Sequence, residues 1–164
     1  MIWGCFIGNK LGSIAFIDGT VNRHIYVDVL YEVLLPFIDV LNADGITNIV
    51  FQQDNATPHV AGITRQFLTG MGNEHAFIVM EWPSNSPDMN PIEHLWAHLK
   101  LELYRRYPDT ATLKGSPDTI KKILKQRLTE VLWDIGESVL ESLVESMPCR
   151  VQVLIHARGW YTEY

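Results

Sequence analysis

Two hydrophobic rhythms alternate along the chain: short unbroken apolar runs bounded by turn residues, and longer stretches in which apolar positions recur every three or four. Ile2 to Ile7 and Ser13 to Ile17 are runs of the first kind. The glycine-bounded segment between them, Gly8 to Gly12, predicts a β-hairpin. Asp18-Gly19 ends the second strand, and Asn22 is a cap for a helix carrying Ile25, Tyr26, Val29, Leu30, Val33 and Leu34 on one face. Pro36 kinks that helix or starts a new turn, because proline lacks a donor and clashes with the preceding turn. The face continues through Phe37, Ile38 and Leu41 to about Asn42, and Gly45 marks the return to a strand.

That strand, Ile49 to Phe51, runs into Gln52, Gln53 and Asp54. His59 to Met71 then carries a helical face through Val60, Ile63, Phe67 and Leu68, closed by Gly70 and Gly72. Phe77 to Met80 is an unbroken apolar run and predicts another buried strand. Strand, helix and strand in this order predict a parallel pair with a helical crossover. From Pro91 a helix presents Ile92, Leu95, Trp96 and Leu99, and Tyr107 to Gly115 is a loop. Ser116-Pro117-Asp118 has the cap, first-turn proline and acid of a helix start. Gly136 breaks that helix, and Val139, Leu140, Leu143 and Val144 line the next. Ser146-Met147-Pro148 opens the last, with Val151, Leu154 and Ile155 inward and Gly159 as its stop. The pattern is α/β, within a single domain over 1–164.

At 164 residues with 47% hydrophobic composition, the chain suits one globular core. No apolar run approaches the roughly 20 residues a membrane span needs, and the first residues lack the basic-then-apolar order of a signal peptide. The expectation is a soluble, intracellular protein without membrane contact. Cys5 and Cys149 have no metal-ligand spacing and are expected as reduced thiols without chemistry. The net charge of −6 and the pI near 5.4 argue against broad affinity for nucleic acid, which rests on cationic contacts to phosphate. Positive charge nonetheless clusters at Lys100, Arg105, Arg106 and Lys114, and again at Lys121, Lys122, Lys125 and Arg127. These residues are either solvated helix faces or a DNA-facing patch.

The candidate chemistry lies at the two ends of the stretch from Asn48 to Leu99. Asp54 is delivered by a strand end and Glu93 by the first turn of a helix. Two carboxylates arriving from different elements are what a divalent-ion site needs, since hard ions such as Mg²⁺ take oxygen ligands. The ordinary alternatives are turn chemistry for Asp-Asn and dipole complementation for Glu93. His59 reads as an orienting hydrogen-bonder or a structural residue, because imidazole suits Mg²⁺ poorly. His94 and His98 stand four apart on a helix, but no third soft ligand for zinc accompanies them.

The strings QQDNATPH and WPSNSPDMNPIEHLWAHLK, with IWGCF, IDGTVNRHIYVDVLYEVLLPF and SMPCRVQVLIHARG, cover nearly the whole chain. Together they resemble the catalytic domain of the mariner superfamily of cut-and-paste DNA transposases, enzymes that use an Asp, Asp, Glu or Asp triad. The resemblance implies a ribonuclease H-like fold: a mixed sheet whose first three strands are antiparallel, flanked by helices. It implies metal-dependent DNA strand cleavage and strand transfer with two Mg²⁺ or Mn²⁺ ions, transposon-end DNA as partner, self-association as a candidate assembly, and a nuclear location. Asp54 matches the second triad acid and Glu93 the third, both as metal ligands. Asn55, His59, Asp88 and Asn90 are candidate supporting residues, Asp88 matching a position the family does not use for metal.

Three departures qualify this. The stretch between Asp54 and Glu93 is longer than in the best-known branches, a surplus that loops absorb cheaply. The family's first Asp lies on a strand upstream of the one containing IWGCF, central between it and the strand ending at Asp54. The chain, beginning at Met1, is therefore expected to lack that strand and acid, and with them activity as a fragment. Asp18, in the turn after the second strand, has no catalytic assignment in the family. The ending GWYTEY, with Cys149, departs from the family's more basic tail. The other reading is a non-enzymatic remnant or domesticated protein that binds a transposase subunit or another partner.

Overall fold

A buried glycine explains how the N-terminal apolar runs become a hairpin. In the computed structural model, β1 (Ile2–Trp3) pairs antiparallel with β4 (Ala15–Phe16), Trp3 lying opposite Ala15. Further along, β2 (Phe6–Ile7) pairs with β3 (Lys10–Leu11). Between the two pairings, where regular strand structure is interrupted, Gly12 N–H donates to Cys5 O at 2.8 Å. A Cβ on Gly12 would lie 2.7 Å from Cys5 Sγ and 3.0 Å from Phe37 Cδ1, so only glycine fits. Burial beside it pushes the Cys5 thiol up to about 12, which leaves it inert. The expected hairpin is present with a shorter turn: Gly8, at φ +54°, begins the reversal and Lys10 is already back in a strand.

The structure describes residues 1–83, Ser86, 89–158 and Trp160. They fall into two units, Met1–Phe6 with Leu11–Asn90, and Ile7–Lys10 with Pro91–Tyr164. The candidate supporting residue Asp88 and the expected helix stop at Gly159 lie outside the described residues.

In the first unit, Asn22 caps α1 (Arg23–Val29) as expected, its side chain accepting from His24 and Ile25 N–H. The interruption associated with Pro36 takes the form of a π-helical turn, Leu30–Leu34, ahead of α2 (Leu35–Ala43). Leu35 N–H bonds back five residues to Leu30 O, and Pro36 stands in the first turn of α2. Tyr26, Leu30, Ile38 and Leu41 are almost completely buried.

β5 (Ile49–Phe51) and β6 (Phe77–Val79) form the expected parallel pair, Ile49 opposite Phe77 and Phe51 opposite Val79. The crossover helix α3 spans Gly62–Glu74, starting later than the expected His59 and running through Gly70 and Gly72. His59 stands before it in a turn where Ala56 O accepts from both His59 and Val60 N–H. Thr64 fixes that turn from α3, its buried hydroxyl donating to Pro58 O at 2.7 Å. Gly72 serves close packing rather than termination, since a Cβ there would lie 2.8 Å from Phe77 O. β6 is also less buried than its apolar run implies. Phe77 is covered, but Ile78 is 65% exposed, and Val79 and Met80 are exposed too. Among the described residues the strands form separate two-stranded pairs, antiparallel and parallel, with no strand joining β1 to β5.

In the second unit, α4 (Pro91–Arg106) buries Leu95, Leu99 and Leu103 against α5 (Pro117–Trp133) and α6 (Glu137–Glu145). Ser116 caps α5 as expected, accepting from Thr119 N–H. The segment expected as a loop contains a 3₁₀ turn, Pro108–Thr112, held by Arg127. That guanidinium bonds Asp109 and Thr110 and lies 4.7 Å above the Tyr107 ring, while the Tyr107 hydroxyl donates to Glu130. Arg105 pairs with Glu102 and Arg106 with Asp134. These three cations are thus engaged by acids. In α7 (Met147–His156), the expected inward positions Val151 and Ile155 are exposed, and Arg150 is buried instead, 3% accessible and bonded to Ser146 Oγ. The buried side of α7 is thus not the one that the apolar stripe marks. No helix among the described residues is long and apolar enough to cross a membrane.

The two helical glycines separate packing from propensity. Gly70→Ala, with nothing within 4 Å of its Cβ, is expected to stabilise the protein by about 0.5–1 kcal/mol, whereas Gly72→Ala should destabilise it by about 1–3 kcal/mol. Thermal melts with both changes of one sign would contradict this. A second test concerns Glu130, whose carboxyl is held below its ordinary value, first by the Tyr107 hydroxyl and then by Gln126. A lowered carboxylate stabilises above its unfolded value and loses that contribution as pH falls through the folded one. Tyr107→Phe is expected to raise the Glu130 midpoint toward that of an ordinary glutamate, followed by NMR titration.

Candidate functional site

Four consecutive polar residues follow β5, and each is held differently. Gln52 Nε2 donates to Met89 O at 3.3 Å and to Asn90 Oδ1 at 3.4 Å. Gln53 accepts from the Tyr26 hydroxyl at 2.7 Å and donates to His59 O at 3.3 Å. Asn55 Nδ2 donates to Trp82 O at 2.9 Å. The three amides therefore tie the end of β5 to the segment after β6, to α1 and to the turn before α3. Asp54 stands among them with a carboxylate 48% exposed.

One carboxylate oxygen takes both of the internal donors. Asp54 Oδ1 accepts from Ala56 N–H at 3.0 Å and from His59 Nδ1 at 2.6 Å. Among the described residues Oδ2 has no donor. The His59 ring lies flat on Tyr26, centroids 4.1 Å apart with 30° between planes. Tyr26 is itself buried, and its hydroxyl donates to Gln53 Oε1. Burial pushes the Tyr26 phenol well above its ordinary value, with the nearby Asp54 carboxylate adding to the effect. The phenol stays protonated and serves as donor.

Glu93 belongs to the second unit, exposed in the first turn of α4, whose burial of Leu95 fixes that helix. Asn90 is half-buried at the end of the first unit and accepts from Gln52. Asp88 lies outside the described residues. The structure thus brings His59 onto Asp54, ties Asn55 to Trp82 O and ties Asn90 to Gln52. No group of three or more His, Cys, Asp or Glu side chains is arranged for metal among the described residues. The donor chemistry at Asp54 fits a hard divalent ion all the same, because its side chain is half exposed and Oδ2 takes no hydrogen bond among the described residues.

Sequence reasoning counted Tyr26 as one more apolar-face position and passed over Gln52, Gln53 and Trp82. The signal at Tyr26 was its hydroxyl: a tyrosine in a core stripe requires a polar partner, and Gln53 supplies one. No local pattern marks Trp82, which contributes a backbone carbonyl.

Residues 8–114 match the DDE superfamily endonuclease family. The chain belongs to that family. Among curated relatives of this DDE domain, the Tcb1 transposase of Caenorhabditis briggsae is 33% identical over 165 residues, covering 100% of this chain and 54% of the relative. The Tc1 transposase of Caenorhabditis elegans is 33% identical with the same coverage, and the Tc3 transposase of that organism is 33% identical, with 44% of its length covered. The chain spans about half the length of the curated relatives it matches. The solved Mos1 transposase catalytic domain with raltegravir and Mg superposes with a TM-score of 0.76 at 20% identity, covering 99% of this chain and 76% of that one. The Mos1 mariner paired-end complex with Mn gives 0.73 at 19% identity, covering 99% and 44%. The expected ribonuclease H-like fold is therefore present, and the chain is a homologue of Tc1/mariner transposases.

The Tyr26 hydroxyl is expected to matter even though it touches no reacting group. Tyr26→Phe leaves Gln53 Oε1 without its donor and should lower stability by about 1–3 kcal/mol, read from urea unfolding. An unchanged midpoint would mean that Gln53 finds water instead.

Proposed function

We infer that this chain is catalytic-domain sequence of a cut-and-paste DNA transposase, in which Asp54 and Glu93 bind the divalent ions for strand cleavage and strand transfer. The observation that carries the reading is the state of Asp54. It is placed at a strand end by three amide clamps, oriented through one oxygen, and open at the other.

The ions would be Mg²⁺ or Mn²⁺, and their chemistry when bound is to activate the attacking oxygen and stabilise the leaving one. The protein's own share is positional. Asp54 and Glu93 offer hard oxygens, Gln52 holds Asn90 next to Pro91, and Asn55 restrains Trp82. Asn55, His59 and Asn90 act as supporting residues in this reading, and Asp88 is assigned to the same connecting segment without a ligand role. Transposon-end DNA is the substrate, the nucleus is the place of action, and copies of the protein assemble on paired ends, as the solved Mos1 complexes suggest for a relative. Arg105, Arg106 and Arg127 are paired with acids within the second unit, so they are poor sources of phosphate contact.

The test uses the longest reading frame that contains these residues. Nicking of end-sequence duplexes is expected to require Mg²⁺ or Mn²⁺, and Asp54→Asn and Glu93→Gln should each lower its rate by at least about 100-fold with an unchanged thermal melt. Full activity in either variant would remove that residue from the metal site.

A further inference from the structure

We propose that His59 is a positioning residue for Asp54, fixing the carboxylate through Oδ1 so that Oδ2 is the oxygen presented to a divalent metal ion. The proposal rests on the reading of Asp54 as a metal ligand and assigns the residue that sets its geometry.

A free aspartate rotates about two side-chain torsions and offers either oxygen. Here the two donors on Oδ1 come from different places: Ala56 N–H, local to the chain at 3.0 Å, and the His59 ring, at 2.6 Å. Two donors converging on one oxygen fix the carboxylate plane as well as its direction. A carboxylate only accepts, so the proton in the shorter bond belongs to Nδ1. That oxygen has its lone pairs engaged, which leaves Oδ2, without a donor among the described residues, as the better ligand.

The imidazole is held in turn on several sides. Its face lies against the Tyr26 ring, its backbone N–H bonds Ala56 O at 2.8 Å, and its backbone O accepts from Gln53. Gln53 also receives the Tyr26 hydroxyl, so the stacking surface and the backbone of His59 are anchored to one side chain. The ring is 22% exposed against 48% for the carboxylate it orients, an arrangement in which the supporting group is sheltered and the ligand is open. A histidine serving only to close the turn would need its backbone bonds alone. The stacked ring aimed at Asp54 is additional.

His59→Asn carries an amide nitrogen close to the place of Nδ1, whereas His59→Gln places its amide farther out and His59→Ala has no donor. The measurement is Mn²⁺ affinity of the full chain, from the EPR signal of free Mn²⁺ up to millimolar metal, beside a thermal melt of each protein. His59→Ala and His59→Gln are expected to weaken Mn²⁺ binding by about 10–100-fold, the range for losing a partner that orients a metal ligand. His59→Asn should return affinity to within about threefold of the unmodified chain, and Asp54→Asn should abolish the tight component. A role confined to folding predicts instead that affinity follows the melts and that Asn gives no rescue. Should His59→Ala fail to fold, the Asn and Gln variants decide, and equal affinities in that pair overturn the proposal. Unchanged affinity in His59→Ala with loss in Asp54→Asn overturns the positioning role alone. Wild-type affinity in Asp54→Asn, or no binding by the unmodified chain, overturns both it and the reading of Asp54 as a ligand.

Discussion

The first unit is organised around the burial of one phenol. Tyr26 is 1% exposed, and a hydroxyl taken so far from water has to be hydrogen-bonded within the protein. Its partner is Gln53, just past the end of β5. The ring meanwhile supplies the surface on which His59 stacks. One side chain of α1 thus ties that helix to the end of β5 and to the turn before α3. The candidate chemistry depends on the same side chain, since the His59 ring that bonds Asp54 rests on it.

The Gln-Gln-Asp-Asn sequence divides its labour by side-chain length and type. The longer amides reach other elements, Gln52 to Met89 and Asn90, Gln53 to Tyr26 and His59, while the shorter Asn55 bonds Trp82 O. Amides suit this task because they donate and accept without carrying charge, leaving the acid as the charged member of the set. A site whose ligand is already oriented by surrounding bonds loses less freedom when an ion arrives. The second unit is arranged on the opposite principle, with Arg127 joining Asp109, Thr110 and Tyr107 in a charged cluster that fixes a surface turn.

Local signals were the legible ones. Asn22 and Ser116 cap their helices because the capping bond spans two or three residues and depends on little else. The Ile49–Phe51 strand and its parallel partner followed from apolar runs set either side of a helical stretch. Misreadings arose where a distant neighbour decides the outcome. Gly72 looks like a stop but is small because Phe77 O passes close to it, and Val60 looks helical but belongs to a turn fastened by Thr64. Ile155 fits an apolar stripe, yet packing buries Arg150 instead. Asp54 and Glu93 stood out through the resemblance of their flanking strings to a known family. Periodicity alone left ordinary turn and dipole roles open, and the tie from His59 to Asp54 needed the stacked ring to be seen.

The π turn at Leu30–Leu34 has a consequence for how this segment tolerates change in length. A π turn accommodates one residue more than the α-helical path it replaces, and the extra residue here lies between Tyr26 and the Ile38–Leu41 face. Deleting one residue within it would leave room for a continuous α-helix. A shift of one position turns a helical face by roughly 100°, so adding a residue elsewhere in the helix would carry Ile38 and Leu41 off the core, whereas removal inside the turn can be absorbed by the change in winding. The turn is therefore the one place along this helix where a residue can be removed without carrying its buried side off the core.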